Sequence, residues 1–174
     1  QVENVGCCIA VQNEAIAPAD GVLYAIRDVT DTIDSVPLIT ASIISKKAAE
    51  GLSALVLDVK TGRAAFMQTQ EQARELAASM VQTAEGLGIQ TVAQVTAMDQ
   101  PIGTHIGNAL EVIESVRVLQ GEGSPDTREL VVVQGAALLA MTGVSADRDE
   151  GRRRMEAVLN LSLIHISEPT RLDD

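Results

Sequence analysis

Short apolar runs recur along the chain at intervals that suit β-strands. Three of them are Val5–Val11, Ala54–Val59 and Ile89–Ala97. Each run is about as long as a buried strand, and polar residues or glycines separate it from the next periodic segment. We expect all three to be strands, and Lys60–Gly62 to form a turn after the second.

The segment between the first two strands has apolar residues at helical spacing. Pro18 suits the first turn of a helix, and the pattern continues to Thr30. Asp34 precedes Pro37 and predicts a second helix that runs to about Glu50.

The clearest helix signal lies between the second and third strands. Thr69 and Gln72 have the spacing of a capping box, in which each residue satisfies a backbone N–H of the first turn. Gly86 and Gly88 are expected to end this helix.

Three further helices are predicted after the third strand, which is followed by a loop over Met98–Gly103. Asn108 is placed to cap the first, and four apolar residues recur along it on the face expected to point inward: Leu110, Ile113, Val116 and Leu119. The other two helices are expected from Ser124 to about Gly143 and from about Ser145 to Leu159.

Alternating strands and helices predict an α/β fold with a partial mixed or parallel sheet and flanking helices. Two helices, rather than one, separate the first two strands, so residues 18–50 are expected to belong to a different domain. The predicted division is a first strand in 1–17, a helical segment in 18–50, and an α/β domain with C-terminal helices in 51–160.

The composition excludes several classes of function. A net charge of −11 argues against nucleic acid and anionic membranes as partners, because both are bound through clustered lysine and arginine. No apolar run approaches the roughly 20 residues of a membrane helix. Tyr24 and Phe66 are the only aromatic residues, so the core must be built from smaller apolar side chains.

The two cysteines, Cys7 and Cys8, are adjacent and suggest no disulfide framework. We expect both to be buried and reduced, which favours a cytoplasmic location.

One group of residues combines polar and apolar character on a single helix face. Ile39, Ser42 and Lys46 are spaced i, i+3 and i+7, and Arg27 at the end of the preceding helix could join them. Such a group offers donors to a flat ligand that carries carbonyl oxygens. Two plainer explanations remain open: Lys46 could serve only the helix dipole, and Arg27 could form a surface pair with Asp28.

The same segment carries a family resemblance. Residues 17–47, APADGVLYAIRDVTDTIDSVPLITASIISKK, resemble the signature of the thymidine and pyrimidine-nucleoside phosphorylases. The resemblance continues through LVLDVKTGRAAF, AMDQPIG and GNALEV, covers about residues 5–145, and is strongest to the animal members.

The resemblance implies a function and a site. Members cleave a pyrimidine deoxynucleoside with inorganic phosphate and release the base and 2-deoxy-α-D-ribose 1-phosphate. By this likeness Arg27, Ser42 and Lys46 bind the pyrimidine edge, Arg27 and Lys46 assist catalysis, and Ile33 and Ile39 contact the ring. A homodimer, a smaller helical domain that holds the base, a larger α/β domain that holds phosphate, and no cofactor are also implied.

Not every feature of the family is present. The phosphate-binding pattern K-x-S-T-G-G-x-G-D does not occur in these 174 residues, so we expect the chain by itself to be inactive. Val11 and Arg63–Ala64 also depart from the family pattern.

Bacterial members bind a cation near a Q-P-L-G loop. Ile102, His105 and Glu114 match those positions as weak candidates, but we predict no metal here.

Three alternatives remain at this stage. The first is an enzyme like anthranilate phosphoribosyltransferase, which shares the fold. The second is a non-catalytic binding or growth-factor-like protein that lacks the phosphate loop. The third is an assembly fragment without a function of its own.

The last segment, 161–174, resembles translated sequencing-adapter sequence, and we expect His165 and its neighbours to carry no function.

Overall fold

The computed structural model describes residues 2–6 and 17–161. The first predicted strand lies outside these residues except for Val5, which ends a one-turn helix, and Gly6. Both cysteines and residues 162–174 are also outside the described part of the chain.

The chain forms two compact units, of which one lies within Gln12–Gln100. Its described elements are α2 (Pro18–Thr30), α3 (Val36–Ala49), β1 (Ala54–Thr61), α4 (Gln70–Gly86) and β2 (Gln90–Ala97). The one-turn helix Val2–Val5 is α1 and belongs to the other unit. The order of these five elements agrees with the sequence prediction.

The two strands pair in parallel, and α4 connects them. Register runs from Ala54 opposite Gln90 to Thr61 opposite Ala97. Because Lys60 and Thr61 continue this ladder, the turn predicted at Lys60–Gly62 is wrong, and the strand ends two residues later than expected. The α/β class with a parallel pair of strands and flanking helices is confirmed.

The core of this unit lies between β1, α3 and α4. Alternate residues of β1 point into it, and α4 contributes small and apolar side chains from one face. Its largest fully buried member is Ile44 of α3, which is 1% exposed. The core is built from Ala, Val, Leu, Ile and Met, as the scarcity of aromatic residues predicts. The assignment of 18–50 to a separate domain stays a prediction.

The first turn of α4 has the predicted capping box. Thr69 Oγ1 accepts a hydrogen bond from the Gln72 N–H at 3.2 Å, and Gln72 Oε1 accepts one from the Thr69 N–H at 3.1 Å. Both residues therefore satisfy donors that a helix start leaves without partners.

The second unit comprises Gln1–Val11 and Pro101–Asp174. Its described helices, besides α1, are α5 (Asn108–Leu119), α6 (Pro125–Met141) and α7 (Arg148–Asn160). A Cβ added at Gly151 of α7 would lie 2.7 Å from the Ala136 carbonyl oxygen, so glycine lets α6 and α7 pack closely. None of the helices in the described residues has the length and apolar character needed to cross a bilayer.

Two expectations about α5 are wrong. Asn108 does not cap the helix; Gly107 occupies that position, and its N–H donates to Glu111 Oε1 at 3.0 Å. The face predicted to point inward is exposed: Leu110, Ile113, Val116 and Leu119 are 37–48% accessible. Glu114 and Val118 are buried instead, and Glu114 accepts hydrogen bonds from Thr104 and His105 of the preceding loop.

The last helix begins later than predicted. Asp147 caps α7 by accepting a hydrogen bond from the Glu150 N–H at 2.8 Å, and Ser145 lies before the helix.

Candidate functional site

Arg27 is buried at the corner where α2 leads into α3. Its guanidinium donates to the carbonyl oxygens of Thr32 and Leu38, each at 3.4 Å, and to that of Ile33. The Tyr24 ring lies 5.5 Å from the guanidinium carbon. A guanidinium has five N–H donors, and these three contacts leave two for a ligand.

Arg27 therefore has a structural role as well as a chemical one. It bonds to carbonyls of the turn after α2 and of the first turn of α3, and so connects the two helices. Within residues 2–6 and 17–161 it makes no ion pair. The surface pair with Asp28, one of the plainer explanations, does not form in this structure.

Ser42 and Lys46 lie one turn apart on α3, as the spacing predicts. Lys46 Nζ donates to Ser42 Oγ at 3.0 Å and to Asp20 Oδ2 at 2.7 Å. Ser42 and Asp20 are buried, whereas the Lys46 side chain is 23% exposed. Since the Ser42 oxygen accepts from Lys46, its own hydrogen can be donated to a ligand.

All five residues predicted to bind substrate line one cavity of about 480 Å³. One wall is formed by Arg27, Ser42 and Lys46 together with Ile33 and Ile39. Other lining residues come from β1, α4 and the loops after the strands, and they include Val59, Ala65, Phe66, Met80 and Met98. A mostly apolar cavity of this size with a few convergent donors is typical of a small-molecule site.

Comparison with known proteins shows the family of the chain. Residues 1–161 match the glycosyl transferase family, a/b domain. The chain belongs to this family.

Several relatives within this family are phosphorylases. The chain is 55% identical over 159 residues to thymidine phosphorylase of Rattus norvegicus, which covers 91% of this chain and 33% of the relative. Identity to the Homo sapiens thymidine phosphorylase is 52%, with the same coverage of 91% and 33%. The pyrimidine-nucleoside phosphorylase of Bacillus subtilis is 49% identical over 148 residues, or 85% of this chain and 34% of the relative.

The predicted kinship with thymidine and pyrimidine-nucleoside phosphorylases is thus confirmed. The chain spans about a third of the length of these relatives, and it is a partial homologue of them.

Sequence reasoning missed residues that line this cavity, among them Tyr24 and Phe66, and also missed Asp20, which pairs with a lining residue. Asp20, the partner of Lys46, is 26 positions away in sequence, and no local pattern connects the two. Phe66 is 75% exposed on a loop after β1, where periodicity carries no signal. Tyr24 could have been found, because it precedes Arg27 by three residues and so lies on the same helix face.

The weak metal candidates lie in the second unit. Glu114 Oε1 accepts hydrogen bonds from the Thr104 N–H at 2.8 Å and the Thr104 hydroxyl at 2.9 Å, and Oε2 accepts one from the His105 N–H at 3.1 Å. The Thr104 backbone bond, followed by the other two and the His105 ring, holds the pKa of Glu114 below its ordinary value.

The donors around Glu114 differ from those of a cation site, and the absence of a metal stays a prediction. N–H donors converge on the Glu114 carboxylate, whereas a cation requires oxygen atoms to converge on it. By the family resemblance Ile102 and His105 would offer a cation only their backbone carbonyl oxygens, and the His105 ring Nδ1 lies 2.8 Å from the Thr104 hydroxyl. Within residues 2–6 and 17–161, no group of three or more His, Cys, Asp or Glu side chains is arranged to hold a metal.

Proposed function

We propose that the protein to which this chain contributes catalyses the phosphorolysis of a pyrimidine deoxynucleoside, thymidine in the first place. The reaction is reversible and yields thymine and 2-deoxy-α-D-ribose 1-phosphate. The observation that carries the proposal is that Arg27, Ser42 and Lys46 share one cavity with Ile33 and Ile39. The similarity to thymidine phosphorylases supports the same assignment.

The residue types suit recognition of a pyrimidine. Its ring is flat and apolar on both faces, and its carbonyl oxygens lie along the edge. Ile33 and Ile39 provide apolar contact for the ring, while the N–H and O–H donors on the same wall bind the carbonyl oxygens. The cavity is large enough for a nucleoside base together with part of its sugar.

The same donors assist the reaction. As phosphate attacks C1′, the glycosidic bond breaks and its electron pair moves to the base, so negative charge spreads over N1 and the carbonyl oxygens. Fixed cationic donors stabilise that charge more in the transition state than in the ground state. Arg27 contributes most through its charge, because Lys46 is already paired with Asp20.

Phosphate is bound by another part of the protein in this proposal. The family's phosphate pattern is absent from the 174 residues, so this chain supplies the base-binding part and is inactive by itself. In the complete protein, a helical domain and an α/β domain of the phosphorylase type would close on the two substrates and exclude water. We further propose a cytoplasmic homodimer that needs no cofactor.

The test is an assay of the complete protein with thymidine and inorganic phosphate. Release of thymine with stoichiometric formation of 2-deoxyribose 1-phosphate, and no release without phosphate, is the expected result. Turnover of anthranilate with phosphoribosyl pyrophosphate instead would assign the phosphoribosyltransferase alternative. Binding of thymine without turnover of either substrate pair would assign a non-catalytic binding protein.

A further inference from the structure

Asp20 is a buried carboxylate that pairs with Lys46, one of the residues lining the base-binding cavity. It lies in the first turn of α2, where the helix dipole favours an anion, and it is 7% exposed. Its Oδ2 atom is 2.7 Å from Lys46 Nζ. The partner it holds lies on a different helix, so the ion pair joins α2 to α3 at the wall of the cavity.

The ion pair with Asp20 restricts the Lys46 side chain, which would otherwise have to be ordered when a ligand binds. A lysine side chain has four rotatable carbon–carbon bonds, and ordering it costs conformational entropy. In this structure Nζ lies between Asp20 at 2.7 Å and Ser42 at 3.0 Å. Two of its three N–H donors are therefore engaged, and the third has a defined direction.

We infer that Asp20 is the positioning residue for Lys46, holding its ammonium against Ser42 so that both donors are ordered before the base arrives. This inference rests on the proposed function of the site. Asp20 itself needs no contact with the substrate, because it acts on the base only through Lys46. Ordering the donors beforehand removes an entropic cost from binding and from the transition state.

The first experiment measures thymine affinity of the complete protein by calorimetry. Asp20→Asn keeps an acceptor of the same shape but removes the charge, and we expect affinity to fall at least about tenfold, the scale of one charged hydrogen bond. Asp20→Glu restores the charge and should recover part of this loss. Asp28→Asn is the matched control, because it makes the same change at an exposed position of the same helix and should leave affinity unchanged.

A double-mutant cycle separates positioning from a general structural effect. If Asp20 acts through Lys46, adding Asp20→Asn to Lys46→Met causes no further loss of thymine affinity. A further loss of the same size as in the wild-type background would overturn the inference.

A second readout does not depend on ligand binding. Lys46 acetylation by acetic anhydride, followed by mass spectrometry, should be several-fold faster in Asp20→Asn and unchanged in Asp28→Asn. An unchanged rate of Lys46 acetylation in Asp20→Asn would overturn the inference even if thymine binds normally. Absence of thymine binding by the wild-type protein, with the expected change in labelling, would instead overturn the proposed function alone.

Discussion

Lys46 Nζ lies 3.0 Å from Ser42 Oγ, one helical turn away on α3. The bond leaves the Ser42 hydrogen and one Lys46 hydrogen available side by side. Because both residues belong to one helix, helix geometry fixes the spacing of their backbone positions, which does not depend on a flexible loop.

The first prediction concerns Lys46→Ala in the complete protein. We expect kcat/KM for thymidine phosphorolysis to fall by roughly 10²–10³-fold, the usual effect of removing one donor that stabilises transition-state charge. The measurement is initial-rate kinetics at saturating phosphate. Lys47→Ala is the control, because Lys47 is the next residue of the same helix but pairs with Glu50. Equal rates for wild type and Lys46→Ala would remove Lys46 from the site.

The second prediction concerns the pH dependence of stability at Glu114. Hydrogen bonds, first of all from the Thr104 N–H, lower the folded-state pKa of this carboxyl. Because its pKa is lower in the folded state, the Glu114 carboxylate stabilises the fold at pH values above the ordinary pKa of glutamate. This stabilisation is lost as the pH falls through the lowered folded-state pKa. The free energy of unfolding of Glu114→Gln should therefore depend less on pH than that of wild type across this acidic window.

Chemical denaturation at a series of acidic pH values measures the difference. Glu122→Gln, at an exposed position after α5, should give a curve parallel to wild type. If the free energy of unfolding of Glu114→Gln depended on pH in the same way as that of wild type, the lowered folded-state pKa of Glu114 would be contradicted.

The third prediction concerns Gly103, which has φ +74° in the loop beside Glu114. An added Cβ would lie 2.5 Å from Glu114 Oε2, so Gly103→Ala adds a steric clash to the cost of a left-handed backbone. Gly121 has φ +84° with no atom within 4 Å of its Cβ position, and Gly121→Ala therefore isolates the backbone cost. That cost is about 1–2 kcal/mol.

Thermal unfolding of both alanine variants distinguishes the two effects. Gly103→Ala should be the less stable, by the energy needed to displace the Glu114 carboxylate. Equal destabilisation of the two variants would show that the loop absorbs the added methyl group.

The fourth prediction concerns the capping box of α4. Thr69→Ala removes the acceptor for the Gln72 N–H and should destabilise the fold by about 1 kcal/mol. Thr83→Ala on the same helix is the control, since the Thr83 hydroxyl donates only to the Ser79 carbonyl oxygen, which is one turn earlier. Urea denaturation measures the stability of both variants. A Thr69→Ala midpoint equal to that of wild type would mean that the cap contributes nothing measurable to stability.

The sequence by itself determined the features that depend on local geometry. The 3.6-residue period places Ser42 and Lys46 on one face of α3, and the spacing of Thr69 and Gln72 defines the start of α4. These predictions held because the interacting groups belong to the same turn or to adjacent turns.

Only the tertiary structure decided the contacts between distant parts of the chain. The Asp20–Lys46 pair spans 26 residues, and Phe66 reaches the cavity from a loop whose path no periodicity describes. The exposed face of α5 shows the same limit. An apolar stripe predicts that a helix can bury one side, but the buried residues of α5 are Glu114, which is hydrogen-bonded to the preceding loop, and Val118. Local patterns determine what a segment can form, whereas packing between segments determines which of its faces is used.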